Sequence, residues 1–360
     1  MIQQIALPYI RLNNIPTFVS KIINNNCENT TENYIKNLQT KNIEESLKIN
    51  DENDVINEIL LTIRQKANYK YNWALFEYLE IFHNNYNCDT NKDIKNIECF
   101  GKNNNEIIYS LKKVFAKQKI NILKNDANNI LNEIEKIQKS IDETKIDLFV
   151  FDVSNINILE EGLNETEIFL LYLPKILLKL KQGGNIVISL KDSYSDVIHD
   201  ILFYLNSIFE KVCICRPNIM ITSENHRYIL CKKMERKVTL EEINTLLRFF
   251  YYLIVVTNKN NRLNTSIRIF EQDIPMFFKC KIDEINCIYG QQILEYTMMV
   301  VNNKQHEIYN YYKVRNDKID NWINLHKDYL NADIEEIYKK KKLLTIIKEM
   351  VNTMVEEIEK

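Results

Sequence analysis

Four polar residues stand where an α/β sheet would put its chemistry. Asp152 ends the apolar run IDLFVFD, and Lys191 follows the β-branched run NIVISL. Glu224 and His226 precede the short run RYILCKK. Asp126 ends a further run, KINILKND, and Gly101 lies in ECFGKNNN after another. In a doubly wound chain the carboxyl ends of parallel strands meet along one edge, where acids and bases can hold ligands or move protons. Each residue also has a plainer use. Asp152 can cap the turn after its strand, His226 can be a polar residue at a strand entry, and Lys191 and Glu224 can be surface charges.

The elements that must position them follow from periodicity. KANYKYNWALFEYLEIF places Trp73, Phe76 and Leu79 on one helical face. NIECF, a loop with Gly101, and a helical run come next, then KINILKND and the helix-like ANNILNEIEKIQKSIDETK. IDLFVFD carries a continuous rather than alternating apolar run, Leu148–Phe151, as central parallel strands do. Two of the five glycines, Gly183 and Gly184, separate the helical pattern of 164–182 from NIVISL, and their position predicts a helix C-cap. A helix in SDVIHDILFYLNSIF precedes a closing pair of strands, EKVCICRP and HRYILCKK. The pattern predicts a doubly wound, Rossmann-like α/β sheet over 66–235. An extension over 1–65 precedes it, and a helical region over 236–360 follows it. In that region LEEINTLLRFFYYLIVV reads as buried. A last helix, about 333–360, carries Leu344, Ile347, Val351, Met354 and Ile358 as a packing or docking face.

Composition narrows the classes. The 360 residues are 45% hydrophobic, enough for a sizeable core, and the net charge is −2. No global charge draws the chain to nucleic acid or to an anionic membrane, so an RNA site would be a local patch. No apolar run reaches the ~20 residues of a membrane span, and the amino terminus lacks a signal-peptide pattern. The eight cysteines include no C-x-x-C, and the histidine spacing completes no zinc set, so no metal is expected. Cys213 and Cys215 share one face of a strand and read as packed thiols. A reducing, cytoplasmic setting is the simplest expectation.

The order of elements in 66–235 resembles the FtsJ/RrmJ-like ribose 2′-O-methyltransferase family, of the type found as cap methyltransferases in large DNA viruses. NWALFEYLEI resembles the family's opening helix, and NIECFGKNNNEIIYSL takes the place of its Gly-rich first loop. IDLFVFDVSN resembles the strand ending in its aspartate. LKLKQGGNIVISLKD resembles its Gly-Gly-strand-lysine segment, and SENHRYILCK its Ser-Glu-x-Tyr-x-Val-Cys strand. The later segment NDKIDNWINLHKDYL resembles a helical feature of the viral relatives.

The resemblance implies an S-adenosylmethionine pocket and a Lys-Asp-Lys-Glu group acting on a ribose 2′-hydroxyl. Residue by residue, the first lysine falls on Glu77, a charge reversal, and the aspartate falls on Asp152. The second lysine, counted from the glycine pair, falls on Ser189, with Lys191 two residues later. The glutamate falls on Glu224, or on His226 by strict spacing from Tyr228. Gly101, Asp126 and Asp152 are the implied cofactor-side residues. The first loop keeps one glycine, where asparagine side chains would crowd a cofactor.

Two functions follow. One is a protein of this fold with lost or altered catalysis, acting as a structural or stimulatory subunit of an mRNA capping or RNA-processing complex. The other is an active RNA 2′-O-methyltransferase that uses S-adenosylmethionine, Asp152 and Lys191, with Glu224 in support. Either implies contact with RNA, at the mRNA 5′ end, or with a protein partner, in the cytoplasm, a viral factory or a virion.

Overall fold

The computed structural model describes residues 3–10, 72–86, 94–101, 103–115, 119–122, 145–153, 165–190, 193–220, 226–259, 268–301 and 305–329. In chain order the strands are β1 (Gln3–Ala6), β2 (Asn96–Gly101), β3 (Lys119–Ile122), β4 (Ile146–Asp152), β5 (Leu180–Leu190), β6 (Phe209–Arg216) and β7 (Arg227–Met234). The helices are α1 (Ala74–Asn85), α2 (Asn104–Val114), α3 (Glu165–Lys179), α4 (Asp196–Ile208), α5 (Leu240–Lys259), α6 (Met276–Val301) and α7 (Gln305–His326), followed by a 3-10 turn, Lys327–Tyr329.

The strands make one mixed sheet in the order β1-β6-β7-β5-β4-β2-β3. β3, β2, β4 and β5 are parallel neighbours. β7 runs antiparallel to both β5 and β6, and β1 antiparallel to β6. The strand order reverses between β2 and β4, and the carboxyl ends of β2, β4 and β5 lie toward the amino end of β7. This is an α/β fold of the methyltransferase type, as the alternating pattern predicts. Residues 3–6, within the segment read as an extension, supply an edge strand.

Strand parity divides the core. In β4, Phe149 and Phe151 join the cluster of α3, α4, α5 and α6, while Leu148 and Val150 join that of α1, α2 and α7. Successive side chains of a strand point to opposite faces, so the centre of a strand covered on both faces is apolar in a continuous run. All seven residues of β4 are buried. α1 is enclosed likewise. Leu75 through Phe82 are all buried, beyond the one face its periodicity marked, because the sheet, α2 and α7 surround it.

The glycine pair does not cap a helix. α3 ends at Lys179, four residues before Gly183, and β5 begins directly at Leu180. Leu180 pairs with Ile146 and Asn185 with Leu148, so three extra β5 residues bulge between them. Gly183 supplies the left-handed turn of this bulge, with φ +81° and open space around it. At Gly184 a Cβ would lie 2.8 Å from Leu180 Cγ and 2.9 Å from the Lys181 carbonyl. Lys181, inside the bulge, pairs with Asp147, which also accepts the backbone N–H groups of Lys95 and Asn96 at 2.8 and 2.7 Å. The glycines therefore set the register in which β5 enters the sheet.

Substitution of each glycine separates the two roles. Gly183→Ala is expected to cost about 1 kcal/mol through backbone conformation, and Gly184→Ala about 1–3 kcal/mol through crowding. Urea unfolding measures both, and an unchanged midpoint for Gly184→Ala would remove the Leu180 contact as a constraint.

Candidate functional site

Four residues lie in one row across the carboxyl edge of the sheet. Gly101 pairs with Asp152, Asp152 with Ser189, and Ser189 with Tyr228. By parity Asp152, Ser189 and Tyr228 face α1 and α2, along with Val150, Val187 and Leu230. All three are fully buried.

α1 supplies the facing groups. The Tyr228 hydroxyl donates to Glu77 Oε2 at 2.6 Å. Asn103, which precedes α2, donates its Nδ2 to Asp152 Oδ2 at 2.7 Å and accepts from Asn72 Nδ2 at 2.7 Å. Ser189 Oγ and His226 Nε2 are 2.6 Å apart, and the His226 ring meets that of Tyr228 edge-on at 5.0 Å. Tyr78 also belongs to this centre. Its hydroxyl is buried beside Ser189 and Asp152. Burial, then the charge of Asp152, push its pKa well above the usual value, so it stays protonated. Burial does the same to Tyr228, reinforced by Glu77. Burial lowers the pKa of His226 against the opposing pull of Asp152, which keeps the imidazole neutral near pH 7.

The flanking segments are held from both sides. Glu80, one turn beyond Glu77 on α1, accepts the N–H groups of Asn218 and Ile219 at 3.0 and 3.1 Å, and Trp73 Nε1 donates to the Ile219 carbonyl at 3.0 Å. These bonds anchor the turn that leads from β6 toward His226. Beyond β5, Ser193 and Tyr194 meet Arg227, which is 1% exposed. Arg227 donates to Ser193 Oγ and to the Tyr194 hydroxyl at 2.5 Å each, and to Asn286 Oδ1 of α6. Its guanidinium packs 4.6 Å from the Tyr194 ring centroid and 5.2 Å from that of Tyr289. One buried arginine thus ties α6 to both strand ends that flank the centre.

The family-register positions Glu77, Asp152, Ser189 and His226 come together. Lys191, Glu224 and Asp126 lie outside the described residues, as does the helix read over 333–360. Gly101 is the last residue of β2, with φ +146°. A Cβ there would stand 2.4 Å from the Asp152 carbonyl oxygen. Sequence reading did not single out Tyr78, Asn103 or the Arg227 cluster. Tyr78 carried a signal in its position beside Glu77, but a fully enclosed helix presents both neighbours to the interior.

An S-adenosylmethionine pocket needs open backbone after the first strand. Of the residues implied on the cofactor side, Gly101 and Asp152 pair here, the missing Cβ of Gly101 admitting Asp152, and Asp126 lies outside the described residues. The Asn103 side chain spans from Asp152 to Asn72. No group of three or more His, Cys, Asp or Glu among the described residues could hold a metal ion. No described helix is long and apolar enough to cross a membrane.

Fold and centre together define the class, an α/β methyltransferase fold with its polar groups at the carboxyl edge of β2, β4 and β5. Within it, residues 92–234 match the family model for FtsJ-like methyltransferase and carry that domain. The match spans about 40% of the chain. No curated protein matches the sequence. Among solved structures, the chain is similar to human methyltransferase-like protein 13 in complex with S-adenosylhomocysteine. The identity is 15%, over 51% of this chain and 90% of that one, with a TM-score of 0.30. It is similar to the Haemonchus contortus phosphoethanolamine N-methyltransferase 2 at 8% identity, 47% and 39% coverage and a TM-score of 0.31. It is also similar to the plantazolicin methyltransferase BpumL at 14%, 74% and 94%, with a TM-score of 0.24.

Tyr228→Phe strips a hydrogen bond from a buried carboxylate and is expected to cost about 1–3 kcal/mol. Glu77→Gln keeps an acceptor for the same hydroxyl and should cost less. Equal losses of melting temperature in the two variants would show that the Glu77 charge, and not the unmade bond, sets the cost.

Proposed function

We propose that this chain is a methyltransferase-fold subunit without the lysine-based centre for 2′-O-methyl transfer, serving an mRNA capping or RNA-processing complex as a structural or stimulatory component. One observation carries the reading. Ser189, the strand neighbour of Asp152 and the family-register position of a catalytic lysine, is hydrogen-bonded to His226. Glu77, at the other lysine position, is an acid engaged by Tyr228. A lysine with lowered pKa can take a hydroxyl proton. Here the two positions hold a hydroxyl and a carboxylate that satisfy their neighbours. The FtsJ-like match of residues 92–234 supports the RNA-processing setting, and a cytoplasmic or virus-factory location accords with the cysteine usage.

Two measurements on the purified chain test this. Calorimetry is expected to show no uptake of S-adenosylmethionine at millimolar concentration, and capped RNA is expected to gain no 2′-O-methyl group. Methyl transfer that disappears in both Asp152→Ala and Lys191→Ala would overturn the proposal and establish the active enzyme. Co-purification tests the subunit role. A chain that stays monomeric and changes no RNA-processing activity would contradict that role.

A further inference from the structure

Two histidines on the seam between α1 and the end of α7 take no part in the centre at the sheet edge. His83 of α1 and His326 of α7 meet with ring centroids 4.8 Å apart and planes at 66°. His326 stacks on Trp322 at 4.3 Å, and Trp322 meets Phe76 of α1 edge-on at 5.5 Å. The hydroxyl of Tyr329, in the 3-10 turn after α7, lies 3.0 Å from His83 Nδ1. Its ring packs 5.3 Å from the same imidazole. These aromatic contacts hold the end of α7 and the turn against α1.

The tautomer of His326 follows from its partner. Nδ1 is 2.7 Å from the Trp322 carbonyl, which can only accept, so Nδ1 carries the hydrogen. The lone pair is left on Nε2, which is buried without a hydrogen-bond partner among the described residues. His326 is 1% exposed. A second proton on this ring has to enter at Nε2, inside the seam and with no described acceptor. Protonating both rings would set two cations side by side. The other titratable groups on the seam are Asp328 and Tyr329 of the turn. Asp328 is exposed and favours a charged His83. On α1, Glu80 is turned to the backbone of 218–219.

We propose that His83 and His326 form an acid-sensitive latch, whose protonation releases the end of α7 and the Lys327–Tyr329 turn from α1. α1 carries Glu77, Tyr78 and Glu80, so the latch ties α7 to one wall of the centre. Burial lowers the pKa of both rings, that of His326 to about 4. An opened seam takes up protons once pH falls below about 6.5, the ordinary histidine value, whereas the closed seam resists down to about 4. Closure is therefore fully stable above pH 6.5 and is lost progressively as pH falls across that window. At pH 5, His326 alone raises the open population roughly 30-fold.

Hydrogen exchange on the full chain, read by mass spectrometry at pH 7.5 and 5.0 and referenced to intrinsic rates, tests the latch. Protection over 319–329 and 79–86 is expected to drop roughly 10- to 30-fold at pH 5.0, while β4 and β5 keep theirs. His326→Phe keeps an apolar ring in the seam and should abolish most of the drop. His83→Gln, at the less buried ring, should shrink it and serves as the comparison if His326→Phe does not fold. No drop in the natural chain, or the same drop in the folded variants, would overturn the proposal.

Discussion

A Cβ on residue 101 would stand 2.4 Å from the carbonyl oxygen of Asp152 and 2.5 Å from its Cβ. The close approach of β2 to β4 at this point depends on the absence of that atom. It seats Asp152 in register with Gly101 on one side and Ser189 on the other. It also brings Asn103, two residues beyond Gly101, within hydrogen-bond reach of the Asp152 carboxylate. The turn into α2 is correspondingly short, and Asn72 ahead of α1 is drawn onto Asn103. The missing side chain at this glycine admits the backbone carbonyl and Cβ of Asp152.

The polar groups so gathered partner one another. Tyr228 donates to Glu77, Asn103 donates to Asp152, and Ser189 pairs with His226. Buried charges are tolerated when such partners are present and are costly when they are not. The Tyr78 hydroxyl lies beside Ser189 and Asp152, and burial with Asp152 alongside keeps it protonated. Glu80 and Arg227 extend the network outward, anchoring the turn after β6 and the segment after β5.

Much of this was legible beforehand. The continuous apolar run Leu148–Phe151 of β4 announces a strand covered on both faces, and its parity assigns alternate residues to the two clusters. Spacing from the glycine pair pointed to Ser189, and spacing back from Tyr228 pointed to His226. These two residues are 2.6 Å apart. The glycine pair itself was misread as a helix cap. A Gly-Gly after an amphipathic run has the same local pattern whether it ends a helix or bulges a strand. Only the pairing of Leu180 with Ile146 and of Asn185 with Leu148 distinguishes the two. Asn103 and the Arg227 cluster carried no local signal, because their partners lie 31 or more residues away.

Hydrophobic periodicity and chain order determined the α/β architecture, the strands that bear Asp152 and Ser189, and the edge on which they end. Those features are encoded locally, by which residues can lie against a core on one face or two. The state of the centre was decided only when β2, β4, β5 and β7 came into register under α1. Glu77 could have paired with a lysine and His226 could have stood at a surface. Which partners they have depends on contacts across 151 and 37 residues of chain, and no spacing within a segment specifies contacts of that range.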